Sequence, residues 1–173
     1  GFLKYFKNVE QEPAHDRLLI SFDNGYHLAY DCQRLLGEIM VIEDFTDFLQ
    51  EKELGPDALD PDFDFAAFKK ALAGRRGTVK SALMNQQILS GIGNVYSDEI
   101  LFHARIHPQT KVNQLSGEDL EDLYTKMRDV LQGVIEYRAD PEKMPSSFFL
   151  PHRRGDGECP GCGGNIEKIK ISG

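Results

Sequence analysis

Two stretches of this sequence hold residues whose types and spacing could do chemistry. In the first, Ser90-Gly91-Ile92-Gly93-Asn94 interrupts an apolar run. Gly91 suits the left-handed residue that ends a helix, because it has no Cβ to clash. Asn94 suits the N-cap of a following helix, because its side chain can accept from a free backbone N–H. Gly93 would let the turn approach another backbone closely. A helix start of this kind offers unpaired N–H groups at a positive end, which favours an anion, and the commonest large anion is a nucleic-acid phosphate. From spacing alone, a helical hairpin with a tidy turn is the simpler reading. In the second stretch, Cys159-Pro160-Gly161-Cys162-Gly163-Gly164 has the form C-P-x-C-G-G. Two thiolates on a tight turn can grip one tetrahedral metal ion, and the glycines relieve strain in the N–H···S turn. Such a knuckle is half a site, since a four-cysteine ribbon needs a second pair about 15–20 residues later.

Helices must position the first stretch. Before the break, Val79, Leu83, Met84, Ile88 and Leu89 fall at helical spacing; after it, Val95, Ile100, Leu101 and Ala104 do the same. Asp64 is placed to cap a helix over 65–73, with Phe65, Phe68 and Leu72 on one face. Ser116 with Asp119 suits a capping box that opens the longest helix. Its stripe is Leu120, Leu123, Tyr124, Met127, Leu131, Val134 and Ile135, and Pro141 and Pro145 follow its end. The chain upstream reads as β. Arg17–Phe22 and Tyr26–Tyr30 flank Asp23-Asn24-Gly25, whose turn chemistry predicts a hairpin. Residues 1–6 read as a strand, and 37–42 as a further one. Residues 43–64, with Gly55-Pro56 and Asp60-Pro61, read as a linker carrying one short helix.

The 173 residues suffice for one or two small domains, and no run is long enough to span a membrane. Three cysteines argue against a disulfide scaffold and for a reducing, cytoplasmic setting. The lone Cys32 reads as a small buried hydrophobe. A net charge of −8 argues at first sight against a nucleic-acid partner, but the distribution is uneven. Ten acids lie between Glu38 and Asp64 against the single base Lys52, whereas Lys69, Lys70, Arg75, Arg76 and Lys80 follow with no acid among them. Arg153 and Arg154 form a second small basic group. A basic stripe on an acidic body is compatible with DNA, because a phosphate feels the field within about 10 Å at ordinary salt. Each charge group taken singly is as well explained as a solvated helix end.

Lys80, Gln86, Gly91-Ile92-Gly93-Asn94-Val95-Tyr96, Glu99 and His107-Pro108 closely resemble the helix–two-turn–helix signature of the formamidopyrimidine-DNA glycosylase and endonuclease VIII family. Its pattern is a lysine, a helix, G-[IV]-G-N-[IV]-Y-x-x-E-x-L-[FW], and a helix ending near histidine-proline; the match is long and ungapped. The resemblance implies an α+β fold with four parts. These are the end of an N-terminal β-sandwich (1–45), an acidic linker (46–64), a helix–two-turn–helix DNA-binding domain (65–145) and a truncated zinc finger (146–173). It also implies base-excision repair of double-stranded DNA containing damaged bases or abasic sites, by a monomer acting as a bifunctional glycosylase and abasic-site lyase.

Carried over residue by residue, the resemblance implies that Arg34 faces the strand opposite the lesion and that Leu35 or Leu36 enters the base stack. Asp31-Cys32-Gln33-Arg34-Leu35-Leu36-Gly37 departs from the family's D-P-R-R-F-G, lacking its proline, first arginine and phenylalanine. Arg76 and Lys80 are implied to touch phosphates at the start of the first helix, and Asn94 to bind the phosphates flanking the lesion. Glu99 is implied to brace the turn from inside, and Cys159 and Cys162 to hold a structural zinc. The family's proline nucleophile, its neighbouring glutamate, its β-turn lysine and its zinc-hairpin arginine match no residue here. The expectation is therefore a fragment that binds DNA weakly and is inactive. Two rival readings are a non-catalytic nucleic-acid-binding helix–two-turn–helix module and a structural domain with no nucleic-acid role.

Overall fold

The computed structural model describes residues 1–35, 37–153 and 157–169. Leu36 and Arg154, both singled out above, lie outside the described residues, as do 170–173. The chain divides into two units, Gly1–Phe45 and Thr46–Gly173.

The first unit is an antiparallel three-stranded sheet in the order β1-β3-β2, from β1 (Phe2–Phe6), β2 (Asp16–Ser21) and β3 (His27–Asp31). The hairpin joining β2 to β3 forms where Asp23-Asn24-Gly25 predicts it. Gly25 takes φ 78°, and the Tyr26 amide donates to Asn24 Oδ1 at 3.0 Å. Pairing runs Ile20 to Leu28 and Leu19 to Ala29, with a bulge between Asp16 and Leu18. Phe6, Ala29 and Cys32 are buried. The strand expected over 37–42 does not form. Both edges of β3 are already taken by β1 and β2, so the segment after it has no edge of β3 to join. Instead Gly37 lies against the Tyr30 ring, where a Cβ would fall 1.8 Å from the hydroxyl oxygen.

The second unit is helical: α1 (Phe45–Glu51, which starts at the unit boundary), α2 (Phe65–Leu72), α3 (Val79–Met84), α4 (Asn94–His103) and α5 (Gly117–Glu136). Asp64 caps α2 by accepting from the Ala67 amide at 2.8 Å. Ser116 and Asp119 exchange side chain-to-backbone bonds at 3.1 and 2.8 Å, the reciprocal box their spacing predicts. α5 buries Leu123, Met127, Val130, Leu131 and Val134. Burying a side chain of this size contributes about 1.5–3 kcal/mol. Ile135, expected on that stripe, is 64% exposed, and Val130 takes its place because it lies three residues from Met127 on the inward face.

The residues read as an acidic linker are not uniform. From Gly55 onward they pack into the helical unit, with Ala58 and Phe63 in its core. The Tyr124 hydroxyl donates to the Phe63 carbonyl at 2.8 Å, and Arg128 Nη1 to the Asp60 carbonyl at 3.2 Å. Among the described residues no helix is long and apolar enough to cross a membrane.

Candidate nucleic-acid interface

The joint between α3 and α4 is longer than the helical spacing suggests. α3 stops at Met84 and is capped by Asn85, not by Gly91. Asn85 Oδ1 captures the Gln87 amide at 3.0 Å, and the Asn85 carbonyl accepts from Ile88 and Leu89 at 2.9 and 3.0 Å. Asparagine competes for backbone amides in this way and so ends helices early. Ile88 and Leu89 are still buried, but through turns. Gly91, at φ 91°, serves the second turn.

Gln86 staples that turn. Its Nε2 donates to the Ile92 carbonyl at 2.8 Å, and its Oε1 accepts from the Gly91 amide at 3.1 Å. On one flank the joint rests on the acidic segment. The Ser90 amide donates to the Pro56 carbonyl at 2.9 Å, and the Ala58 amide to the Ser90 carbonyl at 3.3 Å. Gly55 must be glycine there, since a Cβ would fall 2.6 Å from the Ile88 carbonyl carbon.

The other flank is open. Gly93 and Asn94 are exposed. Gly93, rather than Asn94, is the N-cap of α4, and it offers no side-chain acceptor; Asn94 is the first helical residue. The opening N–H groups of α4 thus face outward without a capping side chain, at the positive end of a helix dipole.

Asn94 lines a cleft of about 1390 Å³ whose walls include Lys80, Asp98, Phe102, Arg153 and Lys168. Lys80 Nζ reaches Asp98 Oδ1 at 2.5 Å, and Arg153 Nη2 reaches Asp98 Oδ2 at 2.6 Å. Two cations therefore share one carboxylate, and the trio carries a net positive charge. The Lys80 side chain is only 11% exposed, so its direction is set by this pairing. Asp98 was missed in the sequence, although its position four residues after Asn94 puts both on one face of α4.

Glu99 faces the opposite way and is fully buried. Its carboxylate accepts from the amides of Phe149 and Leu150, each at 2.7 Å, and pairs with His103 Nε2 at 2.9 Å. It therefore braces the 149–150 segment, which leads into Arg153, rather than the turn between α3 and α4.

The remaining predicted residues stand on other segments of the chain. Arg76 is exposed on the loop before α3. Thr78 caps α3 by accepting from the Ser81 amide, and the Val79 amide is held by the Thr110 carbonyl at 2.8 Å. Arg34 belongs to the sheet unit, on an exposed turn followed by Leu35, which is 67% exposed at φ 54°. A left-handed leucine is uncommon and strained.

Cys159 and Cys162 sit on one tight turn. The Cys159 amide donates to the Gly164 carbonyl and the Gly163 amide to the Cys159 carbonyl, both at 2.8 Å. Backbone amides of Gly161 and Cys162, with the Cys162 side chain, hold the Cys159 thiol below its ordinary value. That donor arrangement fits two thiolates of a tetrahedral site. Among the described residues no three His, Cys, Asp or Glu side chains gather as a complete one.

The formamidopyrimidine-DNA glycosylase H2TH domain matches residues 54–145, more than half the chain. That match starts where the packed acidic segment starts. The chain is 32% identical to a formamidopyrimidine-DNA glycosylase of Mycoplasma mobile, over its whole length and 67% of the relative. Among solved structures it resembles Lactococcus lactis Fpg in complex with an abasic site containing DNA, with a TM-score of 0.75 and 25% identity over 99% of this chain and 67% of that one. It also resembles MutM in complex with carbocyclic 8-oxo-G containing DNA, with a TM-score of 0.78 and 25% identity over 99% of this chain and 66% of that one. The chain thus spans about two thirds of the length of these relatives. Because that domain matches more than half of the chain and the 32%-identical relative is covered to two thirds, the chain belongs to the formamidopyrimidine-DNA glycosylase and endonuclease VIII family.

Proposed function

We propose that residues 1–173 supply the DNA-holding part of a base-excision repair enzyme, a glycosylase and abasic-site lyase acting on double-stranded DNA with damaged bases or abasic sites. The carrying observation is the cleft on which Lys80, Asn94 and the uncapped start of α4 converge. Amides at a helix start and an aimed ammonium are complementary to a phosphodiester, and backbone contacts of this kind set the position of a duplex without reading its sequence. Arg76, on the loop before α3, extends the contact along the strand. Arg34, exposed beside Leu35, takes the opposite strand, with Leu35 or Leu36 as the apolar wedge. The relatives solved with abasic-site and 8-oxo-G DNA support this assignment of partner.

Base chemistry of this kind requires the damaged nucleotide to leave the stack. The chain's part is to hold the backbone on both sides while that happens. The family's nucleophilic amine corresponds to no residue within 1–173, so this stretch is assigned binding without strand cleavage. Cys159 and Cys162 are assigned as two ligands of a structural zinc, whose role when bound is to fix the knuckle's fold. The protein is assigned to the cytoplasm as a monomer.

Fluorescence anisotropy on a short abasic duplex tests this reading. The expected result is binding that weakens as salt rises, because each neutralised phosphate releases condensed counterions. Asn94→Ala, Lys80→Ala and Arg34→Ala should each weaken it several-fold. Borohydride treatment should trap no covalent complex with residues 1–173, as for a binding module without the nucleophile. Salt-independent or absent binding would favour a structural domain with no nucleic-acid role.

A further inference from the structure

We infer that Arg153 is a further phosphate-binding residue of the same cleft and that Asp98 is the positioning residue that aims both Arg153 and Lys80. This rests on the reading of the cleft as a DNA-backbone site and adds two residues to it. Arg153 comes from a segment 55 residues downstream of Asp98, yet its guanidinium meets the carboxylate at 2.6 Å. The segment cannot drift, because Glu99, the residue next to Asp98, holds the amides of Phe149 and Leu150. One turn of α4 therefore fixes the backbone before Arg153 with one carboxylate and its side chain with the next.

Among the described residues the geometry leaves donors unused: a guanidinium has five N–H groups, and the pairing of Arg153 with Asp98 engages Nη2 alone. The Arg153 side chain is 31% exposed and lines the cleft together with Lys80 and Asn94. A carboxylate with one oxygen on each cation holds two flexible side chains in one geometry, at a net charge still favourable to an anion. A phosphodiester entering the cleft meets an arginine and a lysine already aimed, so less side-chain entropy is lost on binding.

The sign of one substitution separates positioning from simple charge. Asp98→Asn raises the net charge by one, so if Asp98 merely dilutes the positive field, the variant binds duplex more tightly. If Asp98 aims the two cations, the variant binds less tightly despite its charge, and that is the expected result. Arg153→Ala should weaken binding of the abasic duplex and lower the slope of log K against log salt by about 0.9, the share of one phosphate contact. Arg153→Lys should retain that slope, which a merely structural role would not predict. Thermal melts of each variant identify any loss that comes from unfolding, and slopes are compared at a temperature where all variants are folded. Tighter binding by Asp98→Asn, or an unchanged slope in Arg153→Ala, overturns the inference. If those variants behave like the parent while Asn94→Ala still weakens binding, only this inference fails; if the parent binds no duplex, the reading of the cleft fails with it.

Discussion

Glu99 on α4 and the amide of Phe149 are 50 residues apart in sequence and 2.7 Å apart as acceptor and donor. With Leu150 and His103 as its other partners, the carboxylate is completely enclosed and its oxygens are used. A buried carboxylate without donors would be strongly unfavourable, so these bonds are what permits its burial. The same bonds give the 149–153 segment its course over α4.

Glu99→Ala leaves two part-buried amides without acceptors and opens a void where the buried side chain was. Unsatisfied buried donors cost about 1–3 kcal/mol each, so the variant should lose roughly 2–5 kcal/mol of stability. Urea unfolding followed by circular dichroism measures it. A loss under about 1 kcal/mol would mean that water or rearranged backbone replaces the carboxylate.

Gly55→Ala should destabilise the helical unit. Its Cβ would lie 2.6 Å from Ile88 backbone carbon and 2.7 Å from its oxygen, and backbone cannot step aside as a side-chain tip can. Overpacking of this kind typically costs about 1–3 kcal/mol. The shift would also move the 88–90 turn, so duplex binding should fall together with melting temperature. Gly77→Ala is the control, because its Cβ would meet only the Ser81 hydroxyl at 3.3 Å.

The local signals in the sequence were sufficient wherever a side chain acts on its own backbone neighbourhood. The Ser116–Asp119 box, the Asp64 cap and the Asn24-Gly25 turn all form as read. Reading failed where a distant partner decides. Residues 55–63 look like linker because they are acidic and carry prolines, but Ala58 and Phe63 are buried in the core of the helical unit, which composition cannot reveal. The same holds for the site. Glycines and Asn94 mark the joint locally, whereas the pairing of Asp98 with Arg153 requires a chain path that no spacing encodes. Asn94 itself was placed one position early, since asparagine and glycine are both good N-caps and the extended conformation falls on Gly93.

Asp119 gives the capping box a pH signature. Hydrogen bonds from the Ser116 amide and side chain hold its carboxyl below the ordinary 3.8. A carboxyl depressed in the folded state binds its proton more weakly than in the unfolded chain. Its contribution is complete above the ordinary value and is lost as pH falls through the lower, folded value. The stability difference between the parent and Asp119→Asn should therefore stay constant from neutral pH down to about pH 5 and shrink below the ordinary carboxylate range. Urea unfolding at several acidic pH values checks this. A difference that grows on acidification would contradict the assignment.

Gly93 places helix stability and binding in opposition. It is the N-cap of α4 in extended backbone, φ −106°, ψ −177°, a conformation open to any residue. A Cβ at this position meets nothing within 4 Å. Asp there could accept from an amide of the first turn, worth a few tenths of a kcal/mol over glycine, and face the positive end of the dipole, worth about 0.3–1 kcal/mol more. Gly93→Asp should thus raise the melting temperature of the helical unit. It would also fill the outward amides with its own carboxylate and place a negative charge beside Asn94. Affinity for an abasic duplex should drop at least tenfold at low salt, and the deficit should narrow as salt rises, because the repulsion is screened. Measuring both quantities on one variant makes the result decisive: a stabilised helix with undiminished binding would show that the duplex does not use the start of α4.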